Sequence, residues 1–154
     1  MRPHPEVQIR WLIRRDMPSV LKIEGDCFDA PWADEDFLTY LTKCNCIGLV
    51  AEVEREVVGF VVYELHKPQL SIVNFAVSPE SQRSGVGAAM IARLTDKLSQ
   101  QRRNELLANV CETNEAMIGL LRSCGFKAVG LSRGQYGELD GYEFAYRIKA
   151  KAKK

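Results

Sequence analysis

The stretch VSPESQRSGVGAAM, residues Val77–Met90, joins an apolar strand-like run to a helix-like run. Gly85 and Gly87 stand where the helix is predicted to begin. A helix N-terminus carries unpaired N–H groups and about half a positive charge, and glycine lets a ligand approach the backbone closely. Arg83 adds a guanidinium whose shape suits phosphate. The stretch therefore predicts a pyrophosphate-binding turn.

Two common nucleotide-binding motifs do not fit this turn. A P-loop requires Gly-Lys-Ser/Thr, which does not follow here. A dinucleotide fingerprint requires a third small residue, and Met90 stands at that position. Two glycines alone would also suit a tight strand-to-helix connection with no ligand. The turn therefore predicts phosphate binding in some other fold context.

The composition is typical of one globular domain. The chain has 154 residues, of which 46% are hydrophobic and 27% charged, with a net charge of +1. We expect a domain over residues 1–148 and a basic tail at 149–154. The small net charge and the lack of a membrane-length apolar run favour neither nucleic acid nor membrane as a partner. Monomer and homodimer both stay open.

The cysteine and histidine pattern predicts no metal site and no disulfide framework. Five cysteines form an odd set without a CxxC pair, and His4 and His66 are far apart in sequence. Reduced thiols are typical of a cytoplasmic protein, so we expect a cytoplasmic location.

The hydrophobic periodicity predicts an α/β fold with a mixed sheet of about seven strands and about four helices. The predicted order is strand, two helices, three strands, helix, strand, helix and two strands, with helices on both sides of the sheet. Asp16 is expected to cap the first helix and Asn114 the last. A Gly-rich loop is expected between the final strands. The strand–helix–strand step around the quoted turn predicts parallel neighbours, and ligands bind where such strands end.

Three segments carry a family resemblance. QRSGVGA, Gln82–Ala88, resembles the Gln/Arg-x-x-Gly-x-Gly/Ala signature of the GNAT acetyltransferase superfamily, and it lies between a strand and a helix as it does there. NEAMIGLLRSCGF, Asn114–Phe126, resembles the second signature of that superfamily. APWADEDF, Ala30–Phe37, is similar to a segment of the RimI-type branch, the ribosomal-protein-alanine N-acetyltransferases. The resemblance implies a single GNAT-like domain that uses acetyl-CoA as acyl donor.

The resemblance also implies the residues that bind acetyl-CoA. The strand before the turn would hold the pantetheine arm through Phe75, Ala76 and Val77. The turn would hold the pyrophosphate, with Gln82 shaping it, through Arg83, Ser84, Gly85, Val86, Gly87 and Ala88. Asn114 would contact the cofactor. Trp32 and Tyr136, in the segments 28–37 and 132–142, would contact the acceptor.

The acid/base half of the RimI-type pattern is missing. Asn109 stands where that branch has a Glu base, and Leu121 stands where it has a Tyr acid. Asn cannot accept the proton of the amine, and Leu cannot donate one to the thiolate. Other candidates for acid/base work are Glu64, His66, Glu112 and Tyr136, each of which also reads as an ordinary surface residue.

The resemblance implies acetyl transfer to an amine, in this branch a protein N-terminal α-amine. Asp34, Glu35 and Asp36 offer negative charge to such an amine, or serve as first-turn helix charges. Two alternatives stay open. One is a small-molecule amine acetyltransferase, and the other is a catalytically weak acyl-CoA-binding module that lacks the acid/base pair.

Overall fold

The computed structural model describes residues 6–100 and 102–148, so that His4 and the predicted basic tail lie outside the described residues. It contains seven strands and four helices in the predicted order, which confirms the predicted α/β fold. The elements are β1 Gln8–Trp11, α1 Met17–Cys27, α2 Asp34–Leu41, β2 Cys46–Val53, β3 Glu56–Leu65, β4 Gln69–Val77, α3 Val86–Gln100, β5 Glu105–Cys111, α4 Glu115–Ser123, β6 Lys127–Tyr136 and β7 Leu139–Arg147.

The sheet opens between two parallel strands. Its order is β1-β2-β3-β4-β5-β7-β6, and β4 and β5 are the parallel pair that α3 connects. Their ladder ends at Ile72↔Ala108, although β4 continues to pair with β3 as far as Val77. β5 likewise continues to pair with β7 as far as Cys111. The carboxyl ends of β4 and β5 therefore diverge, and a gap opens between them.

Helices cover both faces of the sheet, as the periodicity predicts. On one face, α3 buries the apolar side that the spacing indicates, which consists of Val86, Met90, Ile91, Leu94 and Leu98. On the other face, Val20 and Ile23 of α1 pack with Phe37 of α2. Strand β4 contributes to both cores, because successive side chains point to opposite faces. Phe75 belongs to the core on the side of the sheet that α3 covers (the α3 core), and Ala76 belongs to the core on the side that α1 covers (the α1 core).

Asp16 does not cap α1, contrary to the sequence-based expectation. Its carboxylate accepts hydrogen bonds from the Ile13 N–H at 2.9 Å and from the Arg10 guanidinium at 2.8 and 2.9 Å. Arg10 lowers the pKa of Asp16, and its Nε also donates to Glu52 at 2.8 Å. A half-buried arginine of β1 therefore binds the carboxylate that the local sequence assigns to the helix cap.

The last two strands are longer than predicted. β6 extends to Tyr136 and β7 begins at Leu139, so a two-residue turn replaces the expected Gly-rich loop. Gly134 and Gly137 adopt positive φ angles of 67° and 72° within this hairpin. Gly134 lies within β6, where the pairing with β7 shifts its register, and Gly137 lies in the two-residue turn. Tyr136 consequently lies at a strand end.

No helix within residues 6–100 and 102–148 is long and apolar enough to cross a bilayer. The same described residues contain no cluster of three or more His, Cys, Asp or Glu side chains suited to a metal ion. All five cysteines are free thiols.

Candidate active site

Two cavities adjoin where β4 and β5 diverge. The first has a volume of about 650 Å³ and lies beside the turn that begins α3. The second has a volume of about 610 Å³ and lies between the α1–α2 segment and the end of β6. Both volumes are typical of small-molecule sites. Six residues line both cavities and form their shared wall: Cys27, Phe28, Phe75, Asn114, Ala116 and Met117.

The turn at the first cavity is arranged to bind an anion. Arg83 and Gly85 adopt left-handed backbone conformations with φ angles of 64° and 90°. Residues other than glycine rarely adopt such a backbone conformation, which explains why position 85 is a glycine. Gln82 Nε2 donates to the Val77 carbonyl at 3.0 Å and ties the turn to β4. The first N–H groups of α3 have no partners within the helix and face the end of this turn.

All of the cofactor-binding residues implied by the family resemblance line the first cavity, except Ser84 and Val86. The Ser84 hydroxyl donates to the Ser81 carbonyl, and the Val86 side chain is buried in the α3 core. Only the backbone of these two residues is left for a ligand. The Arg83 side chain forms no hydrogen bond or ion pair with the rest of the described chain, so its guanidinium is available to an anion.

Gly87 has a packing role that the sequence does not reveal. A Cβ atom at this position would lie 2.8 Å from Cδ2 of Leu120 and 3.6 Å from Cγ2 of Val77. The glycine therefore lets α3 approach α4 closely. The packing against Leu120 adds to the role expected of Gly87 at the cofactor, and that role stays a prediction.

Asn114 caps α4, as the sequence predicts. Its Oδ1 accepts a hydrogen bond from the Met117 N–H at 3.2 Å. The residue also belongs to the wall that the two cavities share. Contact between Asn114 and the cofactor remains a prediction.

The second cavity brings together the residues expected to contact the acceptor. Trp32 and Tyr136 both line it, as do Asn109 and Leu121, the positions where the RimI-type pattern has its base and acid. Trp32 also packs, because its ring stacks on Tyr40 with centroids 4.8 Å apart. Burial raises the pKa of the Tyr136 phenol. The Leu121 side chain is fully buried.

Glu24 is a site residue that the motifs do not indicate. It is 2% exposed and lines the second cavity. Its Oε1 accepts from Asn74 Nδ2 at 2.7 Å, and its Oε2 accepts from the Trp32 N–H at 2.9 Å. Burial raises the pKa of Glu24 in spite of these two donors. A local signal exists, because Glu24 follows the buried Val20 by one helical turn and thus falls on the apolar side of α1.

The second cavity is acidic. Glu24, Asp29 and Glu115 line it, and none of its described lining residues is Lys, Arg or His. In the first cavity, Asp26 is accompanied by Arg83, which lies at the turn beside the unpaired N–H groups of α3. The turn of the first cavity therefore favours an anion, whereas the second cavity favours a cation.

Several predicted candidates lie elsewhere. Glu64 pairs in register with Ser71, near the start of β4, and contacts Lys43 and His66 at 3.4 Å each. Neither Glu64 nor His66 is among the described residues that line the two cavities. The Glu112 carboxylate accepts from the Asp140 N–H at 3.3 Å and also lies outside both linings.

The acidic first turn of α2 has a structural role. Asp36 Oδ2 accepts a hydrogen bond from the Ala33 N–H at 2.8 Å, which ties the carboxylate to the helix start. Asp34, Glu35 and Asp36 do not belong to the described lining of the second cavity. Asp36 therefore has the role of a first-turn helix charge, one of the two roles expected for these three residues. Contact between any of them and an acceptor stays a prediction.

Comparison with known proteins places these features in a family. Residues 17–126 match the model of the Acetyltransferase (GNAT) family. The chain is 27% identical over 130 residues to the ribosomal protein bS18-alanine N-acetyltransferase of Escherichia coli K12, across 84% of this chain and 87% of that relative. It is 26% identical over 137 residues to the enzyme of the same name from Salmonella typhimurium, across 89% and 92%.

Solved structures share the fold. The ribosomal-protein-S18-alanine N-acetyltransferase from Escherichia coli has a TM-score of 0.85 at 24% identity, covering 96% of this chain and 97% of that chain. Ard1 from Thermoplasma volcanium has a TM-score of 0.85 at 21% identity, covering 94% and 99%. The resemblance to the RimI-type branch is confirmed by the relatives, and the family match spans well over half of the sequence. The chain belongs to the GNAT acetyltransferase family.

Proposed function

We propose that this chain transfers the acetyl group of acetyl-CoA to a protein N-terminal α-amine. The observation that carries the proposal is the junction of an anion-favouring cavity with an acidic cavity at the opening between β4 and β5. A donor that contains pyrophosphate suits the first, and an ammonium suits the second. The relatives named for the alanine of ribosomal protein bS18 support a protein N-terminus as the acceptor.

Acetyl-CoA is the acyl donor of GNAT acetyltransferases, and the first cavity fits its parts. Arg83 and the backbone N–H groups of Ser84–Ala88 hold the pyrophosphate in this proposal. The Phe75–Val77 segment, beyond the end of the β4–β5 ladder, holds the pantetheine arm through its backbone. The shared wall then surrounds the thioester, beside the second cavity.

The missing acid/base pair lowers the rate without abolishing the reaction. The amine attacks the thioester carbonyl carbon, a C–N bond forms, and the C–S bond breaks as the thiolate leaves. A positioned acid or base contributes roughly 10²–10⁴ each. Holding the two reactants together supplies about 7–11 kcal/mol, and the adjoining cavities provide that positioning. The chain is therefore an acetyltransferase in this proposal, in spite of Asn109 and Leu121.

The chemistry favours an α-amine over a lysine. An α-amine has a pKa of about 7.7–8.0 and a lysine one of about 10.4, so far less energy is needed to deprotonate the α-amine at neutral pH. Tyr136 is the proposed proton donor to the departing thiolate. It lines the second cavity, and a phenol with a pKa of about 10 or above is protonated at neutral pH.

A second function is favoured by one specific observation. Leu121 is fully buried in the α3 core and Asn109 cannot exchange a proton, so neither family position supports catalysis. An acyl-CoA-binding module with little transferase activity would fit these two side chains. A small-molecule amine acetyltransferase is the other alternative, because a polyamine would also suit an acidic cavity.

An acceptor panel tests the proposal. The protein would be incubated with acetyl-CoA and an alanine-first peptide, the same peptide with a blocked N-terminus and an internal lysine, or a polyamine. Mass spectrometry would locate the acetyl group, and calorimetry would measure acetyl-CoA binding. Acetylation of the free N-terminus is the expected result. Exclusive polyamine acetylation would favour the small-molecule alternative, whereas tight binding without any turnover would favour the binding module.

A further inference from the structure

We propose that the Glu24 carboxylate binds the acceptor ammonium in the second cavity and accepts its proton. Glu24 would thereby act as the general base that Asn109 cannot be. The proposal rests on the proposed acetyl transfer to an amine, and it assigns a role to a buried acid that lies outside the quoted motifs.

Glu24 is a buried carboxyl group without a counter-ion among the described residues. The side-chain amide of Asn74 and the N–H of Trp32, its two hydrogen-bond donors, are both neutral. Within residues 6–100 and 102–148, no Lys, Arg or His forms an ion pair with it. The charge that acts on it, Asp36, is also negative. Burial of an unpaired carboxylate is unfavourable, and a cation that enters the cavity relieves that cost.

Glu24 lies beside the place where the reaction is proposed to occur. Cys27 follows Glu24 by three residues on α1, which places the two side chains on the same side of the helix in adjacent turns. Asn74, which holds Glu24, immediately precedes Phe75 on β4. Cys27 and Phe75 both belong to the wall shared by the two cavities. Glu24 therefore lies next to the place where the thioester is proposed to sit.

Glu24 also retains hydrogen-bonding capacity. Each carboxylate oxygen can accept about two hydrogen bonds, and each oxygen of Glu24 accepts one from the described residues. An ammonium with three donors can therefore bind without displacing Asn74 or Trp32. The existing bonds also fix the orientation of the carboxylate, which favours proton transfer along one direction.

The proposed step balances as follows. The acceptor ammonium gives one proton to Glu24, which leaves a neutral amine with a free electron pair. That pair attacks the thioester carbonyl carbon, and the C–S bond breaks with its electrons on sulfur. The thiolate gains a proton from Tyr136, and the second proton of the nitrogen passes to solvent as the amide forms. The products are the acetylated amine and the thiol form of CoA, and Tyr136 and Glu24 return to their resting forms through solvent.

Neighbouring groups set the pH at which Glu24 can act. Burial raises the pKa of Glu24, and the negative charge of Asp36 on α2 raises it further, because it disfavours ionisation of the Glu24 carboxyl group. β4 presents the neutral Asn74. The other titratable groups along the cavity are Cys27 on α1, Asp29 after α1, Cys111 on β5, Glu115 on α4 and Tyr136 on β6. Because none of them is cationic at rest, an incoming ammonium would be the first positive charge that faces Glu24 and would lower its pKa.

The decisive variant is Glu24→Gln, with Glu35→Gln as its matched control. Glu35 is an exposed acid of α2 that is absent from the described lining of both cavities. Near pH 7, Glu24→Gln is expected to lower kcat/KM for an alanine-first peptide by about 10²-fold or more, with unchanged acetyl-CoA affinity by calorimetry. Glu35→Gln is expected to stay within about threefold of wild type.

The pH profile separates a catalytic from a structural role. Wild-type kcat/KM is expected to rise with pH as Glu24, whose pKa burial raises, loses its proton, and then to reach a plateau. It should fall again above the amine pKa of about 8, since the ammonium form binds. With Glu24→Gln, the rate should instead rise about tenfold per pH unit up to that pKa, because only free amine reacts. If wild type acetylates the peptide while Glu24→Gln keeps its rate and profile, Glu24 is structural and the proposed function stands.

A second measurement does not depend on the variant folding. Carbon-13 NMR of labelled glutamate carboxyls would follow the Glu24 pKa of the wild-type protein with CoA bound. The pKa should fall when an alanine-first peptide is added, and it should not change with the same peptide acetylated at its N-terminus. Equal pKa values with both peptides would overturn the proposal. Failure of the wild type to acetylate any amine would instead remove the proposed function on which the proton transfer rests.

Discussion

Replacement of Arg83 with Gln should weaken acetyl-CoA binding without disturbing the fold. Arg83 lies at the first cavity with φ = 64°, and its guanidinium has no partner in the part of the chain that the structure describes. A hydrogen bond to a charged group contributes about 1.5–3 kcal/mol, which corresponds to a Kd increase of roughly 10- to 150-fold. Because Arg83 is exposed and salt screens such contacts, the lower end of this range is expected at physiological ionic strength.

Calorimetry at two salt concentrations measures this effect. Arg83→Gln should flatten the dependence of Kd on salt as well as raise Kd. Arg55→Gln is a matched control, because Arg55 is also exposed, also adopts positive φ, at 69°, and is absent from the described cavity lining. Its affinity should equal that of wild type. An unchanged Kd for folded Arg83→Gln, or equal losses in both variants, would refute the assignment of Arg83 to the pyrophosphate.

Three further predictions concern single side chains. In Asn109→Glu, the new carboxylate would face Glu143 across the β5–β7 ladder, so we expect about 0.2–1 kcal/mol of destabilisation in urea. The gain in acetylation rate should be less than about threefold, since Glu24 already serves as base. Asp16→Asn should lose about 1.5–3 kcal/mol at pH 7; because Arg10 lowers the Asp16 pKa, that difference should vanish as pH falls through the folded-state pKa in urea titrations. Tyr63→Phe should raise the melting temperature, because the buried Tyr63 hydroxyl has no partner among the described residues.

Clear outcomes would contradict each of these three predictions. A gain of about 10² with Asn109→Glu would show that the chain lacks a base. Equal stability of Asp16→Asn and wild type at pH 7 would mean that the Arg10 contact contributes nothing. A lower melting temperature for Tyr63→Phe would mean that the hydroxyl finds a partner in solution.

Features set by neighbouring residues in the sequence could be predicted. The α3 side with Met90 and Leu94 follows from helical spacing alone, and both residues are fully buried. The Asn114 cap depends on a contact three residues away, with the Met117 N–H. The turn that is predicted to bind phosphate is likewise one continuous segment, so its residues necessarily lie close together.

Features set by distant residues could not be predicted. Glu24 is held by Asn74, which is 50 residues away, and the helical pattern of α1 carries no information about β4. The role of Gly87 depends on Leu120, and that of Asp16 depends on Arg10 of another element. The positions of Glu64 and His66 near the start of β4 likewise depend on the tertiary structure, through the strand register for Glu64 and a backbone hydrogen bond to Gln69 for His66.

The most direct test of acetyl transfer to an α-amine is fragmentation mass spectrometry of one peptide. The peptide would begin with alanine, contain an internal lysine, and be incubated with acetyl-CoA and the wild-type protein. Arg83→Gln at limiting acetyl-CoA would provide the comparison. We expect one acetyl group on the N-terminal nitrogen, formed more slowly by the variant. Acetylation of the lysine alone, or none above the background without protein, would contradict transfer to an N-terminal amine.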